Sequence, residues 1–176
     1  MINIISNNEF FRSAIVELLN QKKLMNYDQN SQAYFYILEI IKNENNLELL
    51  INKKKINCRL PMNFNSIFIK IVEELSNQSV DIFNLRYFPL KNSILNQSHH
   101  MQLSEIQNLI FMHLSLNLEE GIDKVKLSQI IWPRDKDLSI NKLDTHLTNL
   151  KNQFAKELNF DFSFISKASK LRLIIN

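Results

Sequence analysis

The sequence contains a single glycine, Gly121, among 176 residues. Loops that cradle a phosphate and turns that bind a dinucleotide need several glycines, because only glycine lets backbone N–H groups come so close to a phosphate. The single cysteine, Cys58, also excludes a disulfide framework and a metal site built from four thiolates. The sequence therefore argues against a nucleotide-binding enzyme and against a disulfide-stabilised protein.

The composition is that of a folded protein, with 45% hydrophobic and 22% charged residues. A chain of this length forms one compact domain or two small ones. No uninterrupted apolar run approaches the ~20 residues that span a bilayer. The start of the chain lacks the basic segment and the small-residue cleavage site of a secretory signal. We expect a soluble protein of the reducing cytoplasm with no membrane partner.

The first half of the sequence predicts strands that alternate with helices. This alternation favours a parallel sheet covered by helices, in a domain over residues 1–77 that a polar linker at 76–79 follows. Ile67 and Ile71 mark either the inner face of the last helix or a dimer interface. The predicted elements are strand 3–6, helix 10–19, strand 33–39, strand 47–52, strand 56–60 and helix 66–75.

The second half, residues 80–176, predicts three helices between β segments. Ser104 is expected to cap the first helix, and Trp132, at the end of the second, is expected to lie in the core. Three helices followed by a β-hairpin is the order of a winged helix, a variant of the helix-turn-helix. The elements are a β-rich stretch at 81–95, a helix from 104, helix 126–132, helix 139–158, and β segments at 162–166 and 171–175.

The end of the chain carries the positive charge. Residues 124–176 contain ten basic and five acidic residues, whereas residues 1–123 contain 11 and 13. Helix 139–158 has an apolar stripe at spacings of three and four. Burial of that stripe leaves polar and basic side chains outside, which is either an ordinary amphipathic surface or a face that binds nucleic acid. The stripe consists of Ile140, Leu143, Leu147, Leu150, Phe154 and Leu158.

Short motifs over residues 81–176 resemble the DNA-binding domain of OmpR/PhoB-type response regulators. The resemblance implies a winged helix that binds duplex DNA as a homodimer, with RNA polymerase as a further candidate partner. The motifs are Leu103-Ser104-Glu105, Ile130-Ile131-Trp132, LDTHLTNLK at 143–151, Phe164-Ile165 and Leu171-Arg172-Leu173. They are similar, in that order, to the family's Leu-Thr-x-x-Glu, Leu-x-x-Val-Trp, Val-Asp-Val-His-Ile-Ser-Arg-Leu-Arg, Tyr-Ile and Tyr-Arg-Leu.

Under this resemblance helix 139–158 is a recognition helix in the major groove, and the hairpin that follows is a wing. Asn149 is expected to read adenine through paired hydrogen bonds, and Thr145 to contact a thymine methyl group or a base edge. Contacts to phosphates position the protein without reading sequence. The other predicted DNA-binding residues are Lys142, His146, Thr148 and Lys151 on the helix, and Lys167, Lys170 and Arg172 in or beside the wing.

Residues 1–77 then resemble a shortened receiver domain. Asn7 and Asn8 stand where receivers carry an acidic metal-binding pair, Glu39 where they carry the phosphoacceptor aspartate, and Leu60 where they carry a lysine before proline. Two amides cannot supply the charge that holds Mg²⁺, and a leucine cannot neutralise a phosphoryl group. Glu39 is either a mimic of the phosphorylated state or a strand-end carboxylate in solvent. We predict a degenerate pocket that accepts no phosphate, and no metal, cofactor or catalytic site.

The predicted fold is an α/β receiver-like domain followed by an α+β winged helix, in a phosphorylation-independent transcription factor. The alternative is a winged-helix interaction module that has lost DNA binding, because Thr148 and Asn149 stand where the family has basic residues. A continuous positive face would favour DNA, whereas an acidic interruption by Asp144, Glu157 or Asp161 would favour a protein partner.

Overall fold

The computed structural model describes residues 2–21, 34–134, 140–167 and 169–175. The chain divides into two compact units, Met1–Gln78 and Ser79–Asn176. The division lies within the polar stretch 76–79, of which the first two residues belong to a helix. Among the described residues, none of the helices has the length and apolar character needed to cross a membrane.

The described residues of the first unit form a four-stranded mixed sheet and two helices. The strands lie in the order β1-β2-β3-β4, with β1 and β2 parallel and the other two pairs antiparallel. Its elements are β1 (Ile2–Ser6), α1 (Glu9–Gln21), β2 (Tyr36–Lys42), β3 (Asn46–Ile51), β4 (Lys54–Arg59) and α2 (Phe64–Asn77).

The prediction of a parallel sheet is wrong for β3 and β4. A parallel connection must cross over the sheet and needs about a dozen residues, whereas short turns join β2 to β3 and β3 to β4. Asn52 and Lys53, the whole connection between β3 and β4, have φ angles of 47° and 73°. Two adjacent residues with positive φ are typical of a type I′ turn, whose twist matches that of a hairpin.

Replacement of Lys53 by glycine is expected to raise the free energy of unfolding by about 0.5–1 kcal/mol. Glycine adopts positive φ without the steric cost that lysine pays, and Asn-Gly is the preferred pair for this turn. Urea denaturation of Lys53→Gly against wild type measures the change. The matched control is Glu44→Gly in the β2–β3 turn, where φ is not positive; this variant is expected to lose stability. An equal gain in the free energy of unfolding in both variants would contradict the assignment of a type I′ turn to Asn52-Lys53.

One face of this sheet forms the core of the first unit. Residues alternate between buried and partly exposed along β2 and β3, as expected for strands with one covered face. Ile15 and Leu19 of α1 and Ile67 and Ile71 of α2 are almost completely buried. Ile67 and Ile71 therefore belong to the inner face of their helix rather than to a dimer interface. Tyr36 is buried as well; burial raises the pKa of its phenol, whose hydroxyl donates to the Gln78 carbonyl oxygen at 3.3 Å.

The second unit begins with a four-stranded antiparallel sheet and ends with a three-stranded one. The first sheet has the strand order β5-β6-β7-β8 and the second β10-β11-β9, all pairs antiparallel. The first sheet comprises β5 (Val80–Ile82), β6 (Leu85–Phe88), β7 (Ser93–Asn96) and β8 (His99–Gln102). A short 3-10 helix (Pro89–Lys91) lies between β6 and β7, and the elements after β8 are α3 (Glu105–Leu116), β9 (Ile122–Asp123), α4 (Lys124–Ile131), α5 (Ile140–Leu158), β10 (Phe162–Lys167) and β11 (Lys170–Ile175).

Helix start signals and apolar periodicity are confirmed in this unit. Ser104 caps α3 through a reciprocal capping box with Gln107. The predicted stripe of α5 is buried from Leu143 to Leu158, and the Phe154 ring packs between those of Phe111 and Phe162. Ser139 and the Ile140 side chain lie outside the described residues.

Gly121 is needed for conformation and for space. It precedes β9 with φ of 71°, a region that L-residues with side chains rarely adopt. A Cβ atom at this position would lie 2.7 Å from Cγ of Arg172 and 3.0 Å from the Leu171 carbonyl oxygen. The single glycine of the chain therefore lets β11 lie directly against the backbone that leads into α4.

Candidate nucleic-acid interface

Helix α5 turns one polar face to solvent. Each residue advances about 100° around a helix, so Thr145 and Asn152, two turns apart, lie opposite the buried stripe. This exposed surface, which we call the outer face, carries no carboxylate at its centre. Its exposed side chains are Asn141, Lys142, Thr145, Thr148, Asn149, Asn152 and Lys156. The predicted His146 and Lys151 are half-buried at its flanks.

The two threonines of the outer face bond back to their own helix. The Thr145 hydroxyl donates to the Asn141 carbonyl oxygen, and the Thr148 hydroxyl donates to the Asp144 carbonyl oxygen, each at 2.9 Å. A hydroxyl has one hydrogen to donate. Thr148 can therefore donate to a phosphate, as the sequence predicts, only after this helix bond breaks.

A lysine of α4 links the outer face to the β10–β11 turn. The Lys124 ammonium contacts Oδ1 of Asp144 at 2.8 Å, on the flank of the outer face. The Lys124 backbone N–H donates to the carbonyl oxygen of Ser169, in the turn, at 3.2 Å. Asp144 lines an open depression together with outer-face residues. The negative charge of Asp144, which would interrupt a positive surface, is thus balanced by the Lys124 ammonium. The β10–β11 turn lies beside the flank of α5 that carries Asp144.

Trp132 lies against the other flank of α5. The Lys142 ammonium is 4.5 Å from the centroid of the Trp132 ring, and the His146 ring centroid is 5.6 Å away at 37°. The indole is only half-buried, so the prediction of a core tryptophan is wrong. Leu127, Ser128 and Ile131 are the buried positions of α4, whereas Trp132, which follows the helix, contacts side chains of α5. A cation over an indole face is attracted by the ring quadrupole, so Trp132 positions Lys142.

The hairpin of β10 and β11 carries a pair of opposed lysines. Lys167 and Lys170 are direct cross-strand partners and both are exposed. Like charges directly opposite each other are destabilising, so an anion placed between the two ammonium groups would be attracted to this turn. The third residue in this row is Asp123, but its carboxylate accepts from the N–H groups of Val125 and Lys126 at the start of α4.

Arg172 lies on the same face of the hairpin but is directed away from the turn. Its guanidinium donates to the Glu120 carbonyl oxygen at 3.3 Å, and its side chain crosses Gly121. This residue therefore helps to hold β11 in place beside β9.

The predicted degenerate pocket of the first unit is not gathered in one place. The Asn7 side chain pairs with the Lys42 backbone, accepting at 2.9 Å and donating at 3.2 Å. The Asn8 side chain accepts from the Phe11 N–H at 3.1 Å, as an N-cap of α1 does. Both amides thus serve the backbone at the carboxyl end of β1.

Glu39 and Leu60 lie apart from those amides. Glu39 is in the middle of β2, paired with Ile5 and Leu50, so its expected position at a strand end is wrong. The error arises because β2 continues to Lys42. Leu60 follows β4, which is separated from β1 by two intervening strands, a distance of ~14 Å.

Sequence reasoning missed three residues of this candidate interface. Lys124 and the Trp132 contact could not be recognised, because their partners on α5 are 10 to 20 positions away along the chain and meet them only through tertiary packing. Lys156 could have been found, since it continues the outer-face periodicity two turns beyond Asn149.

No protein-family model matches this sequence, and comparison with curated proteins finds no significant match. Within the described part of the chain, no three His, Cys, Asp or Glu side chains are grouped so that they could hold a metal ion.

Proposed function

We propose that this chain is a cytoplasmic, phosphorylation-independent transcription factor of the response-regulator type. It binds duplex DNA through the outer face of α5 and the β10–β11 hairpin. A receiver-like first unit precedes the winged-helix unit, and binding as a homodimer on repeated half-sites, with RNA polymerase as a candidate partner, follows from the OmpR/PhoB-type resemblance.

The observation that carries this proposal is the link through Lys124. One residue contacts the hairpin turn with its backbone and α5 with its side chain. The opposed Lys167 and Lys170 therefore belong to the same part of the surface as Thr148 and Asn149. A polar helix face beside a basic turn suits a groove flanked by phosphates.

The order of elements is a second support. Among the described residues from 79 to 175, a four-stranded sheet, three α-helices and a hairpin follow one another, which is the order that the OmpR/PhoB-type resemblance implies. In the first unit, the backbone bonds of Asn7 and Asn8 and the distance to Leu60 support the absence of phosphate acceptance.

Selection from a pool of random duplex DNA at two salt concentrations tests the proposal. Wild type is expected to enrich a repeated motif, and higher salt is expected to weaken binding because phosphate contacts release counterions. Asn149→Ala with Lys151→Ala is expected to abolish enrichment. The matched control is Asn65→Ala with Lys70→Ala, two exposed positions of α2, which should enrich the same motif. Absence of any enrichment at low salt would overturn the proposal.

One observation favours the alternative, a protein-interaction module. Ile165 is 45% exposed on the face of the hairpin that carries the lysines, and it pairs with Arg172 in register. An exposed apolar side chain among basic ones suits an acidic partner protein with an apolar anchor. This function predicts that Ile165→Ser weakens partner capture while duplex DNA does not bind.

Opposite effects are expected from the two members of the Lys124–Asp144 ion pair. Asp144→Asn removes a negative charge beside the DNA and releases a lysine, so affinity is expected to rise about fivefold at ~0.15 M salt. Lys124→Ala leaves the carboxylate unbalanced, so affinity is expected to fall by about the same factor. Fluorescence anisotropy with one labelled duplex measures both changes. Glu157→Gln, which removes an exposed carboxylate elsewhere on α5, is the matched control. Changes of the same sign in both variants would contradict this arrangement.

A further inference from the structure

The chain contains only two threonines, Thr145 and Thr148, and both lie on the outer face of α5. Their hydroxyl hydrogens are used in bonds to the Asn141 and Asp144 carbonyl oxygens. Threonine is also restricted in its χ1 rotamers because it is branched at Cβ. Each hydroxyl oxygen can still accept a hydrogen bond but has no hydrogen left to donate, and the methyl group is the part of each side chain that makes no bond to the helix.

The centre of the outer face lacks the side chains that usually read G·C pairs. Guanine is read by Arg or Lys, and cytosine by Asp or Glu. Asp144 is held by Lys124 at 2.8 Å, and Lys142 lies 4.5 Å from the Trp132 ring centroid. Lys156 is two turns beyond Asn149, about 10 Å along the axis. The residues at the centre are uncharged.

We propose that this face selects A·T base pairs mainly through thymine methyl groups, which the methyl groups of Thr145 and Thr148 contact. This inference rests on the proposed DNA-binding function. Asn149 lies four residues from Thr145 and beside Thr148, and residues three or four apart on a helix are ~5–6 Å apart. That spacing is between one and two base-pair steps of ~3.4 Å, so the three side chains face neighbouring base pairs. The carboxamide of Asn149 then reads adenine in the same short site, and an A·T-rich half-site results.

Replacement of thymine by uracil tests the inference, because uracil lacks only the C5 methyl group. Wild type is compared on the selected duplex and on the same duplex with uracil at each thymine in turn. Each contacted thymine is expected to contribute about a fourfold change in affinity, the value of one buried methyl-sized group. Uracil at a position outside the contacted site is the internal control and should leave affinity unchanged.

Two substitutions at each threonine separate the methyl group from the hydroxyl. Thr145→Ser and Thr148→Ser keep the hydroxyl and remove the methyl group, so each is expected to lose the discrimination between thymine and uracil at one position. Thr145→Val and Thr148→Val keep a methyl group and remove the hydroxyl, so they are expected to retain it. Both threonines are exposed, and thermal melting of each variant checks that the fold is intact.

The outcomes distinguish this inference from the function on which it rests. A duplex-binding protein that selects G·C-rich sites, or that binds uracil and thymine duplexes equally, would overturn the inference alone. Retained discrimination in the serine variants and its loss in the valine variants would show that the hydroxyls read the bases, which also overturns it. Failure of wild type to bind any duplex at low salt would overturn the proposed function.

Discussion

Replacement of Gly121 by alanine is expected to lower the free energy of unfolding by about 2–4 kcal/mol. Part of this loss comes from φ of 71°, where an L-residue with a Cβ atom is strained by ~1–2 kcal/mol. The rest comes from crowding, since the new Cβ would lie 2.7 Å from Cγ of Arg172 and 3.0 Å from the Leu171 carbonyl oxygen. The backbone oxygen cannot move without a shift of β11, so the strain cannot be relieved by a side-chain rotation alone.

Urea denaturation measures the loss, and two further variants divide it into its parts. Gly121→Asn places a residue that tolerates positive φ at the same crowded position. Its free energy of unfolding is therefore expected to fall by most of the contribution from crowding and by little of the contribution from φ. Asn159→Ala changes an exposed residue with φ of 48° and is expected to lose ~1 kcal/mol from conformation alone. If the free energy of unfolding of Gly121→Ala is within about 0.5 kcal/mol of the wild-type value, β11 can move away from the new Cβ atom without loss of stability, which would contradict this prediction.

Removal of the opposed lysines of the hairpin is expected to lower duplex DNA affinity about thirtyfold at ~0.15 M salt. Lys167 and Lys170 are exposed cross-strand partners, and under the proposed function a DNA phosphate would relieve their mutual repulsion. Each lost phosphate contact also reduces the slope of log K against log salt by ~0.9. The Lys167→Gln/Lys170→Gln protein is therefore expected to show a slope smaller by about two, with unchanged preference among sequences.

Titrations at four salt concentrations give both quantities. Lys54→Gln with Lys55→Gln is the matched control, because it removes the same charge from β4 of the first unit. That pair contacts Glu74 and Glu48, and its removal is expected to leave the slope unchanged. Equal losses in the two proteins would mean that net charge, and not the hairpin, attracts the DNA. Because the repulsion disappears, the hairpin variant is also expected to be no less stable than wild type.

The helices of the second unit follow from local pattern. The α5 stripe at spacings of three and four predicted which side chains are buried, since a helix repeats every 3.6 residues whatever it packs against. Ser104 predicted the start of α3, because a cap bonds to the N–H group three residues later along the same chain. Both signals act within one or two turns of helix and are readable without knowledge of the fold.

The strands of the first unit depend less on local pattern. The aromatic and β-branched run before Glu39 predicted a strand but placed its end three residues too early. The direction of pairing depends on the length and conformation of the connections, and Asn52-Lys53 forms a tight turn without glycine. The sequence predicts a site for the Asn7 and Asn8 side chains, whereas the structure shows both in hydrogen bonds to the backbone. Those bonds cannot be read from the sequence, because they depend on the pairing of β1 with β2 near Lys42 and on where α1 begins.

The sequence alone determines which residues of α5 face inward, because helical periodicity is a local property of the chain. The sequence alone does not determine which side chains form contacts between elements of the second unit. Lys124 reaches Asp144 across 20 positions, and Arg172 reaches Glu120 across 52. Such contacts depend on how α4, α5 and the hairpin pack together, and that packing arises from the whole core. Gly121 shows both kinds of information. The sequence shows that it is the only glycine, whereas only the tertiary structure shows why glycine is needed there, because β11 passes directly over it.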